Sequence, residues 1–400
     1  MDLDKLKTTA DLDVQGKRVL LRADLNVPMQ DGAVSDATRL ERLVPGVAAL
    51  AKRGGRVVLI SHFGRPKNGP TPEFSLKPVA DKLAALLGQP VTFVSDCIGA
   101  EAKDAVDALQ PGQIAVLENL RFHEGEEKND LAFAQELAKL ADLYVNDAFS
   151  ATHRAHASTE GVAHLLPAYA GPLMMEELEA LRSALDRPDP PTAAVVGGAK
   201  VSTKIPVLMN LVAKVDKLII GGGMANTFYL AHGVDIGNSL AEPEFCDMAR
   251  EIMKAAKARS CEVILPADAV VAKEFKAGAA STVVPMLEVP SESMILDVGP
   301  HSVEHMTDVL TRCRTVLWNG PLGAFEISPF GEGTFALARE AAKLTKARKL
   351  VSIAGGGDTV AALNAAGVTD QFSYVSTAGG AFLEWLEGRE LPGVVALTRG

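Results

Sequence analysis

The sequence predicts an α/β protein made of two doubly wound, Rossmann-like domains, each built on a parallel β-sheet. Short apolar runs rich in β-branched residues alternate with longer segments whose apolar residues recur every three or four positions. This alternation is interrupted and restarts after about residue 190. A chain of 400 residues also exceeds what one hydrophobic core usually organises, which favours two domains.

The first half of the chain contains five apolar runs that are expected to be strands, at 18–24, 56–62, 91–96, 113–119 and 143–148. The segments between them, such as 36–55 and 131–142, have helical spacing. Continuous apolar strands that alternate with helices are typical of a parallel sheet covered on both faces. The second half repeats the pattern, with strand candidates within 192–198, 217–223, 261–268, 314–320 and 349–358.

A helix followed by a proline-rich stop separates the two halves. We therefore expect an N-terminal domain over residues 1–171 and a C-terminal domain over 172–387. In the second of these, residues 172–190 form the interdomain helix and linker. The last residues, 388–400, lie beyond the final predicted helix and are expected to pack back on the N-terminal domain as a tail.

Composition restricts the class of function. The chain is 48% hydrophobic with a formal net charge of -10, which argues against nucleic acid as a partner because that would favour a basic surface. The four cysteines are widely spaced, so neither a zinc site nor a disulfide framework is expected. The polar N-terminus and the absence of a run of about 18 apolar residues predict no membrane span and a cytoplasmic location.

Ligands of open α/β sheets bind at the carboxyl ends of the strands, and chemistry-bearing residues gather there. In the first half these are Arg39, Arg65, Arg121 and Arg154, with His62 and His156. Arginines fork two N–H bonds toward carboxylate or phosphate, so together they predict a site for a small ligand with more than one anionic group. The alternative is that they are ordinary solvated charges.

The segment that follows the first strand places Asp24 and Asn26 at the same rim. Both side chains can accept hydrogen bonds from ligand hydroxyls, and Asp24 could also orient neighbouring arginines. The alternative is a polar loop closed by Pro28.

The rim of the second half consists of glycine-rich loops within 195–204, 219–228, 318–326, 353–361 and 376–382. Strand–glycine–helix units direct backbone N–H groups at phosphate oxygens. Lys200 and Lys204 suit phosphate contact, Asp358 suits a magnesium ion shared with phosphates, and Glu326 suits a ribose hydroxyl. Neither a Walker loop nor a G-x-G-x-x-G fingerprint is present, which disfavours a P-loop ATPase and a nicotinamide dehydrogenase.

Two histidine pairs have spacings that a metal could use. His153 and His156 are spaced H-x-x-H, and His301 and His305 are spaced i, i+4. Neither pair has a nearby cysteine or a third obvious ligand. We expect structural or surface roles for them rather than metal ligation.

The loop motifs, in order, are VLLRADLNVP, SHFGRP, ENLRFHEGEEKND, VNDAFSATHRAHAS, GGAKVSTKI, GGGMANTF, WNGPLGAFE and SIAGGGDT. Taken together, they resemble those of the phosphoglycerate kinase family over essentially the whole chain. The resemblance implies reversible phosphoryl transfer from 1,3-bisphosphoglycerate to ADP, giving 3-phosphoglycerate and ATP. It also implies a Mg²⁺ requirement, in-line transfer after hinge closure, and a monomer. The alternative is a catalytically silent nucleotide-binding scaffold, which should have lost Arg39, Lys200 or Asp358.

The resemblance also implies roles for individual residues. The glycerate ligand would be held by Asp24, Asn26, Arg39, His62, Phe63, Gly64, Arg65, Arg121 and Arg154. The nucleotide would be held by Lys200, Lys204, Gly221, Gly222, Asn319, Pro321, Glu326, Gly355, Gly356, Gly357, Asp358 and Thr359. The transferring phosphoryl group would be stabilised by Arg39, Lys200, Gly356 and Gly379, and Mg²⁺ would be held by Asp358.

The sequence departs from the family pattern at two positions. Ala378 stands where the family commonly has the first glycine of a T-G-G-G-A motif, and it would matter only if that position needs a positive φ. Pro172 stands where the family usually has a bulky apolar residue, at the entry to the interdomain helix.

Overall fold

The computed structural model describes residues 3–10, 12–67 and 69–399. The chain divides into two compact units. The first comprises the chain up to Leu178 together with Glu390 onward, and the second is Glu179–Arg389. Each unit contains a six-stranded parallel sheet with helices, which confirms the predicted fold class.

The first unit is organised around a sheet with strand order β5-β6-β4-β1-β7-β8, in which all pairings are parallel. β2 and β3 form a separate short hairpin. The strands are β1 Arg18–Arg22, β2 Met29–Gln30, β3 Ala33–Val34, β4 Arg56–Ile60, β5 Val91–Val94, β6 Ile114–Leu117, β7 Leu143–Asn146 and β8 Ala168–Ala170. The helices are α1 Thr38–Lys52, α2 Lys77–Leu87, α3 Gly99–Ala108, α4 Leu131–Ala138 and α5 Pro172–Leu185, the last of which crosses the division between the units.

Local sequence explains where these elements begin and end. α1 buries Leu40, Leu43, Val47 and Leu50, which recur at helical spacing and pack in the core of this unit. Asp130 caps α4, since its side chain accepts a hydrogen bond from the backbone N–H of Phe133. Between their terminal arginines the central strands β1 and β4 are apolar, because both faces of a parallel sheet are covered.

The second unit has a parallel sheet with strand order β11-β10-β9-β15-β16-β17 and a smaller antiparallel sheet with order β13-β12-β14. Its strands are β9 Thr192–Val196, β10 Lys217–Ile220, β11 Glu262–Ile264, β12 Asp268–Ala272, β13 Ser281–Pro285, β14 Met294–Val298, β15 Thr315–Asn319, β16 Val351–Gly355 and β17 Tyr374–Ser376. Its helices are α6 Ile205–Leu211, α7 Gly223–Ala231, α8 Cys246–Ala258, α9 Pro300–Thr311, α10 Glu332–Lys346, α11 Gly357–Ala366 and α12 Gly380–Leu386.

The C-terminal helix, α13 Pro392–Leu397, belongs to the first unit. The backbone N–H of Gly393 donates to the carbonyl of Thr152 at 2.9 Å, and Val394 and Leu397 are buried. An added Cβ at Gly393 would lie about 3.0 Å from the Cα of Thr152, so a larger residue there would require Thr152 to shift by a few tenths of an ångström. None of the described helices is long and apolar enough to cross a membrane.

Candidate functional site

The carboxyl ends of the strands in the first unit surround a cavity of about 220 Å³, which we call the arginine-lined cavity. It is lined by Arg22, Asn26, His62, Gly64, Arg65, Arg121, Ser150, Ala151, His153, Arg154 and His156. Six of the nine residues expected at a glycerate site therefore line one cavity. Asp24, Arg39 and Phe63 do not line it, and their contacts are described below.

Gly64 links several of these residues. Its N–H donates to Oδ1 of Asn26 at 2.9 Å, and its carbonyl accepts a hydrogen bond from Nη1 of Arg121 at 2.7 Å. Its φ is +58°, and a Cβ at this position would overlap the ring of Phe74. Glycine is thus required both by the backbone conformation and by the available space.

Asp24 and Arg39 adjoin the cavity through its lining residues. Nη1 of Arg39 donates to Asp24 and, at 2.6 Å, to the carbonyl of Asn26. The hydroxyl of Ser150 donates to the other carboxylate oxygen of Asp24 at 2.5 Å. Phe63 is buried in the core of this unit, and its backbone N–H donates to Oδ1 of Asn119 at 3.0 Å.

The cations that face the cavity are arginines rather than histidines. Burial, followed by the positive charge of Arg121, lowers the pKa of His156 to about 4. Burial and then Arg22 lower the pKa of His62 well below its usual value. Both imidazoles are therefore neutral at pH 7, whereas arginine stays protonated at any physiological pH. The guanidinium groups of Arg65 and Arg154 have no hydrogen-bond or ion-pair partner among the described residues, which leaves them available to an anion.

Among the charged residues that line this cavity, Arg22 is the one that the sequence patterns did not single out. It is the last residue of β1, is 1% exposed, and donates to Ser158, Ala23 and His62. The signal was present, because a charged residue inside an otherwise apolar strand must be paired if it is buried. The strand pattern alone did not reveal the partner.

The second unit contains a larger, mainly apolar cavity of about 500 Å³, which we call the apolar slot. The lining side chains that form its apolar walls include those of Leu240, Phe275, Met286, Met294, Pro321 and Leu322. Gly222, Glu326 and Asp358, which were expected at a nucleotide site, also line it, as does Pro321. A slot with apolar walls and carboxylates near its edge suits a planar base joined to a polar sugar.

Beside the slot, a hydrogen-bonded cluster joins three strand–helix loops. Nζ of Lys204 donates to Oδ1 of Asn319, and the amide of Asn319 donates to the carbonyl of Gly355 at 2.7 Å. The N–H of Gly320 donates to Oγ1 of Thr359 at 2.7 Å. Burial lowers the pKa of Lys204, while the nearby Asp358 opposes this change.

Helix α11 begins at this cluster. Gly356 has a φ of +99°, and a Cβ there would lie about 2.6 Å from the amide nitrogen of Asn319. Gly357 begins the helix, followed by Asp358 and Thr359, and the first backbone N–H groups of a helix have no partner within it. The cluster therefore combines a lysine, a helix N-terminus and a carboxylate.

The loop after β10 approaches the same slot from the other side. A Cβ on Gly221 would overlap the side chain of Leu322, and the N–H of Gly222 donates to the carbonyl of Leu322 at 2.9 Å. Lys200 is exposed, and no contact of its side chain joins it to the cluster among the described residues. Gly379 precedes α12 with a φ of +53°, and likewise lies outside the slot lining.

The structure accommodates both Ala378 and Pro172, the two departures from the family pattern. Within the described chain, the non-glycine residues with positive φ are Asp31, Asn129, Ser260 and Arg348, so Ala378 carries no such strain. Pro172 is the first residue of α5, where a missing N–H costs no helical hydrogen bond. Oδ1 of Asp147 accepts from the N–H of Met174 in the first turn of that helix.

In the described part of the chain, neither histidine pair belongs to a group of three potential metal ligands. Among residues that the structure describes, the group of three potential ligands is Asp96, Cys97 and His123, away from both pairs. His153 and His156 line the arginine-lined cavity instead.

Comparison with known proteins identifies one family. A family model described as phosphoglycerate kinase matches residues 9–389. The phosphoglycerate kinase of Zymomonas mobilis is 62% identical over 385 residues, covering 96% of this chain and 97% of that protein. That of Rhodospirillum centenum is 60% identical, covering 98% of this chain and 99% of that protein. The solved structure of phosphoglycerate kinase from Coxiella burnetii superimposes with a TM-score of 0.92 at 44% identity, covering 98% of this chain and 99% of the other.

Proposed function

Because the chain belongs to the phosphoglycerate kinase family, and is therefore a phosphotransferase acting between 1,3-bisphosphoglycerate and ADP, we propose how its two cavities divide that reaction. The arginine-lined cavity binds the glycerate ligand, and the apolar slot with its adjoining cluster binds the nucleotide. The observation that carries this proposal is the contrast between the cavities. One is polar and arginine-rich, and the other is apolar with a lysine, a helix N-terminus and carboxylates beside it.

The first cavity fits 3-phosphoglycerate, which has a phosphate at one end and a carboxylate at the other. Arg65 and Arg154 are free to pair with such groups, and Arg121 is held in place by Gly64. Asp24 and Asn26 offer oxygen atoms that accept hydrogen bonds from the hydroxyl of the glycerate. Arg39, fixed by Asp24, would contact the group that reacts.

The second cavity fits ADP and ATP. The base would lie between the apolar walls of the slot, and Glu326 would accept a hydrogen bond from the ribose. The phosphates would reach Lys204 and the N–H groups that begin α11. Gly221 and Gly222 allow their loop to pack against Leu322. Gly355 and Gly356 form the turn that precedes α11. Asn319 accepts a hydrogen bond from Lys204 and so holds that side chain in place.

We propose that Mg²⁺ accompanies the nucleotide and that Asp358 holds it together with the phosphates. The side chain is exposed at the slot, and one carboxylate plus phosphate oxygens is a donor set that Mg²⁺ commonly takes. When bound, the ion offsets the negative charge of the phosphates.

No general base is required in either direction. The nucleophile is a carboxylate of 3-phosphoglycerate or a phosphate oxygen of ADP, and both are anionic at neutral pH. This agrees with the neutral, buried histidines of the arginine-lined cavity. Catalysis then depends on alignment of the two ligands and on positive charge around the phosphoryl group in flight. Arg39, Lys200 and the N–H groups of Gly356 and Gly379 are the proposed source of that stabilisation.

Direct in-line transfer requires the two bound ligands to meet with water excluded, so we also propose that closure accompanies the binding of both. We propose a monomer that acts in the cytoplasm, where its nucleotide substrates are abundant. Light scattering coupled to gel filtration tests whether the protein is a monomer, and subcellular fractionation tests whether it is cytoplasmic.

The decisive experiment is a coupled assay of ATP-dependent phosphorylation of 3-phosphoglycerate, with and without Mg²⁺. We expect robust turnover by the wild-type chain, loss of turnover without Mg²⁺, and a raised Mg²⁺ requirement in Asp358→Asn. Asp370→Asn, at an exposed position after α11, is the matched control and should behave like the wild type. The absence of turnover with the wild-type protein would support the silent scaffold instead.

A further inference from the structure

Arg22 is a buried cation, and each of the three nitrogens of its guanidinium has a hydrogen-bond partner. Nε donates to Oγ of Ser158 at 2.9 Å, Nη1 donates to the carbonyl of Ala23 at 2.6 Å, and Nη2 lies 3.0 Å from Nδ1 of His62. A buried charge needs such partners because unpaired burial is costly. The side chain is therefore held in one orientation by contacts with Ala23, His62 and Ser158.

The hydrogen bonds around Arg22 have a fixed direction. A guanidinium can only donate, so Oγ of Ser158 accepts a hydrogen bond from Arg22. The hydroxyl of Ser158 in turn donates a hydrogen bond to Glu126 at 2.6 Å. The N–H of Ser158 donates to the other oxygen of Glu126 at 3.0 Å. Glu126 is fully buried, so the hydroxyl of Ser158 lies between a buried guanidinium and a buried carboxyl group. Burial raises the pKa of Glu126, and the charge of Arg22 opposes this change.

The same rule determines the state of His62. Because Nη2 of Arg22 can only donate, Nδ1 of His62 must be the acceptor and cannot carry a proton. The proton of the neutral ring is then on Nε2. We propose that Arg22 is a positioning residue that fixes the Nε2–H tautomer of His62, so that His62 presents a hydrogen-bond donor to the anionic ligand.

The charges that surround His62 keep it in this neutral form. Arg22, Arg121 and Arg39 are the cations that face it, and His156 is the neighbouring imidazole; burial and these charges lower its pKa well below the usual value. A neutral ring of the opposite tautomer would turn a lone pair of Nε2 toward the ligand, and that lone pair would repel a carboxylate or phosphate oxygen. The buried Arg22 removes this possibility without itself needing to touch the ligand.

The effect of the tautomer on ligand binding rests on the proposed function, but the tautomer itself can be measured whether or not the protein has kinase activity. Nitrogen-15 NMR of the histidine side chains distinguishes a protonated ring nitrogen from an unprotonated one, and the spectrum of His62→Gln identifies the signals of His62. In the ligand-free wild type we expect Nδ1 unprotonated and Nε2 protonated, without change over roughly pH 6 to 8.

The variant Arg22→Met removes the donor while keeping an unbranched side chain. We expect a population of His62 protonated on Nδ1 and a KM for 3-phosphoglycerate raised about tenfold or more, the cost of one hydrogen bond to a charged ligand. The KM for ATP and kcat should change much less. Since Arg22→Met leaves Glu126 buried without a countercharge, Arg22→Met/Glu126→Gln is the second variant and should show the same two effects if the single variant fails to fold.

Arg18→Met is the matched control, because Arg18 is the first residue of the strand that Arg22 ends, and its guanidinium pairs with Asp142 and Asp107 instead. It should leave the His62 signals and the KM for 3-phosphoglycerate unchanged. A wild-type His62 protonated on Nδ1 would overturn the inference, and so would a folded Arg22 variant with an unchanged tautomer or an unchanged KM. If the wild type had no kinase activity, the proposed function would fail while the NMR result would still decide the tautomer.

Discussion

Both carboxylate oxygens of Asp24 lie 3.2 Å from Nη1 of Arg39. The carboxylate also accepts a hydrogen bond from Ser150, and Arg39 donates in addition to the carbonyl of Asn26. Arg39 is thus held from two sides at the rim of the arginine-lined cavity. Since its side chain is 36% exposed, the ion pair contributes little to the free energy of unfolding, and its value lies in the orientation of the guanidinium.

The first prediction concerns Asp24→Asn, which keeps the size of the side chain and removes its charge. We expect kcat/KM for 3-phosphoglycerate to fall at least about tenfold, the effect of losing one charge-assisted hydrogen bond. The melting temperature should change little. Asp31→Asn, at an exposed position in the turn between β2 and β3, is the control and should leave kinetics unchanged. An Asp24→Asn enzyme with wild-type kinetics would show that Arg39 needs no partner.

The second prediction concerns Gly64→Ala. The added methyl group meets the ring of Phe74, and alanine must adopt the positive φ of this position, so we expect a loss of about 1–3 kcal/mol in the free energy of unfolding. The KM for 3-phosphoglycerate should rise as well, because Gly64 holds both Asn26 and Arg121. Chemical denaturation and steady-state kinetics measure the two effects.

Gly69→Ala is the matched control for Gly64→Ala. Gly69 also has a positive φ, of +77°, but a Cβ there would meet no atom within 4 Å. It should lose stability through backbone strain alone and keep its KM. Equal effects of the two substitutions on KM would contradict the role given to the Gly64 contacts.

The third prediction concerns Lys200→Ala. Lys200 is exposed and makes no side-chain contact with the cluster beside the slot, so it should add little to nucleotide affinity in the free protein. If it stabilises the transferring phosphoryl group, its loss should lower kcat by about a hundredfold or more while the KM for ATP changes only slightly. A change confined to KM would assign Lys200 to nucleotide binding. Lys217→Ala, whose side chain pairs with Glu262, provides the comparison and should leave both constants unchanged.

The main elements of the fold could be predicted from sequence because parallel strands buried on both faces are continuous apolar runs. All ten predicted strands are present in the two large sheets. The short edge strands β8 and β17 were not predicted, and neither was the antiparallel sheet of β12, β13 and β14. β13 is mostly exposed, so its side chains lack the apolar run that marks a buried strand.

The residues that line each cavity could be predicted from sequence only where they belong to a recognisable motif. Strand ends and a family resemblance pointed to Arg65 and Asp358. The contacts that hold them depend on residues far apart in sequence. Lys204 bonds to Asn319, and Arg22 reaches Ser158, because the sheet brings their loops together. The local sequence pattern does not indicate which distant residues pair, so the role of Arg22 could be recognised only from the structure.

The final prediction concerns the stability of the first unit toward acid. The pKa of His156 is lowered to about 4 in the folded protein, chiefly by burial, against an ordinary value of 6.5. Between these two values the unfolded chain binds a proton that the folded chain does not, so the free energy of unfolding falls as the pH falls. This part of the stability is lost progressively between pH 6.5 and 4.

His156→Gln cannot titrate, so it should remove this part of the pH dependence. We expect the melting temperature of the wild type to fall more steeply than that of His156→Gln between pH 7 and pH 5. The difference between the two proteins isolates His156 from buried carboxyls that act in the opposite direction. Asp297, for example, has a pKa raised to about 7 by burial and so favours the folded state as the pH falls. Parallel melting curves for the two proteins would contradict the neutral, buried state of His156. His164→Gln is the control, since this histidine is exposed and paired with Glu160, and it should retain the wild-type slope.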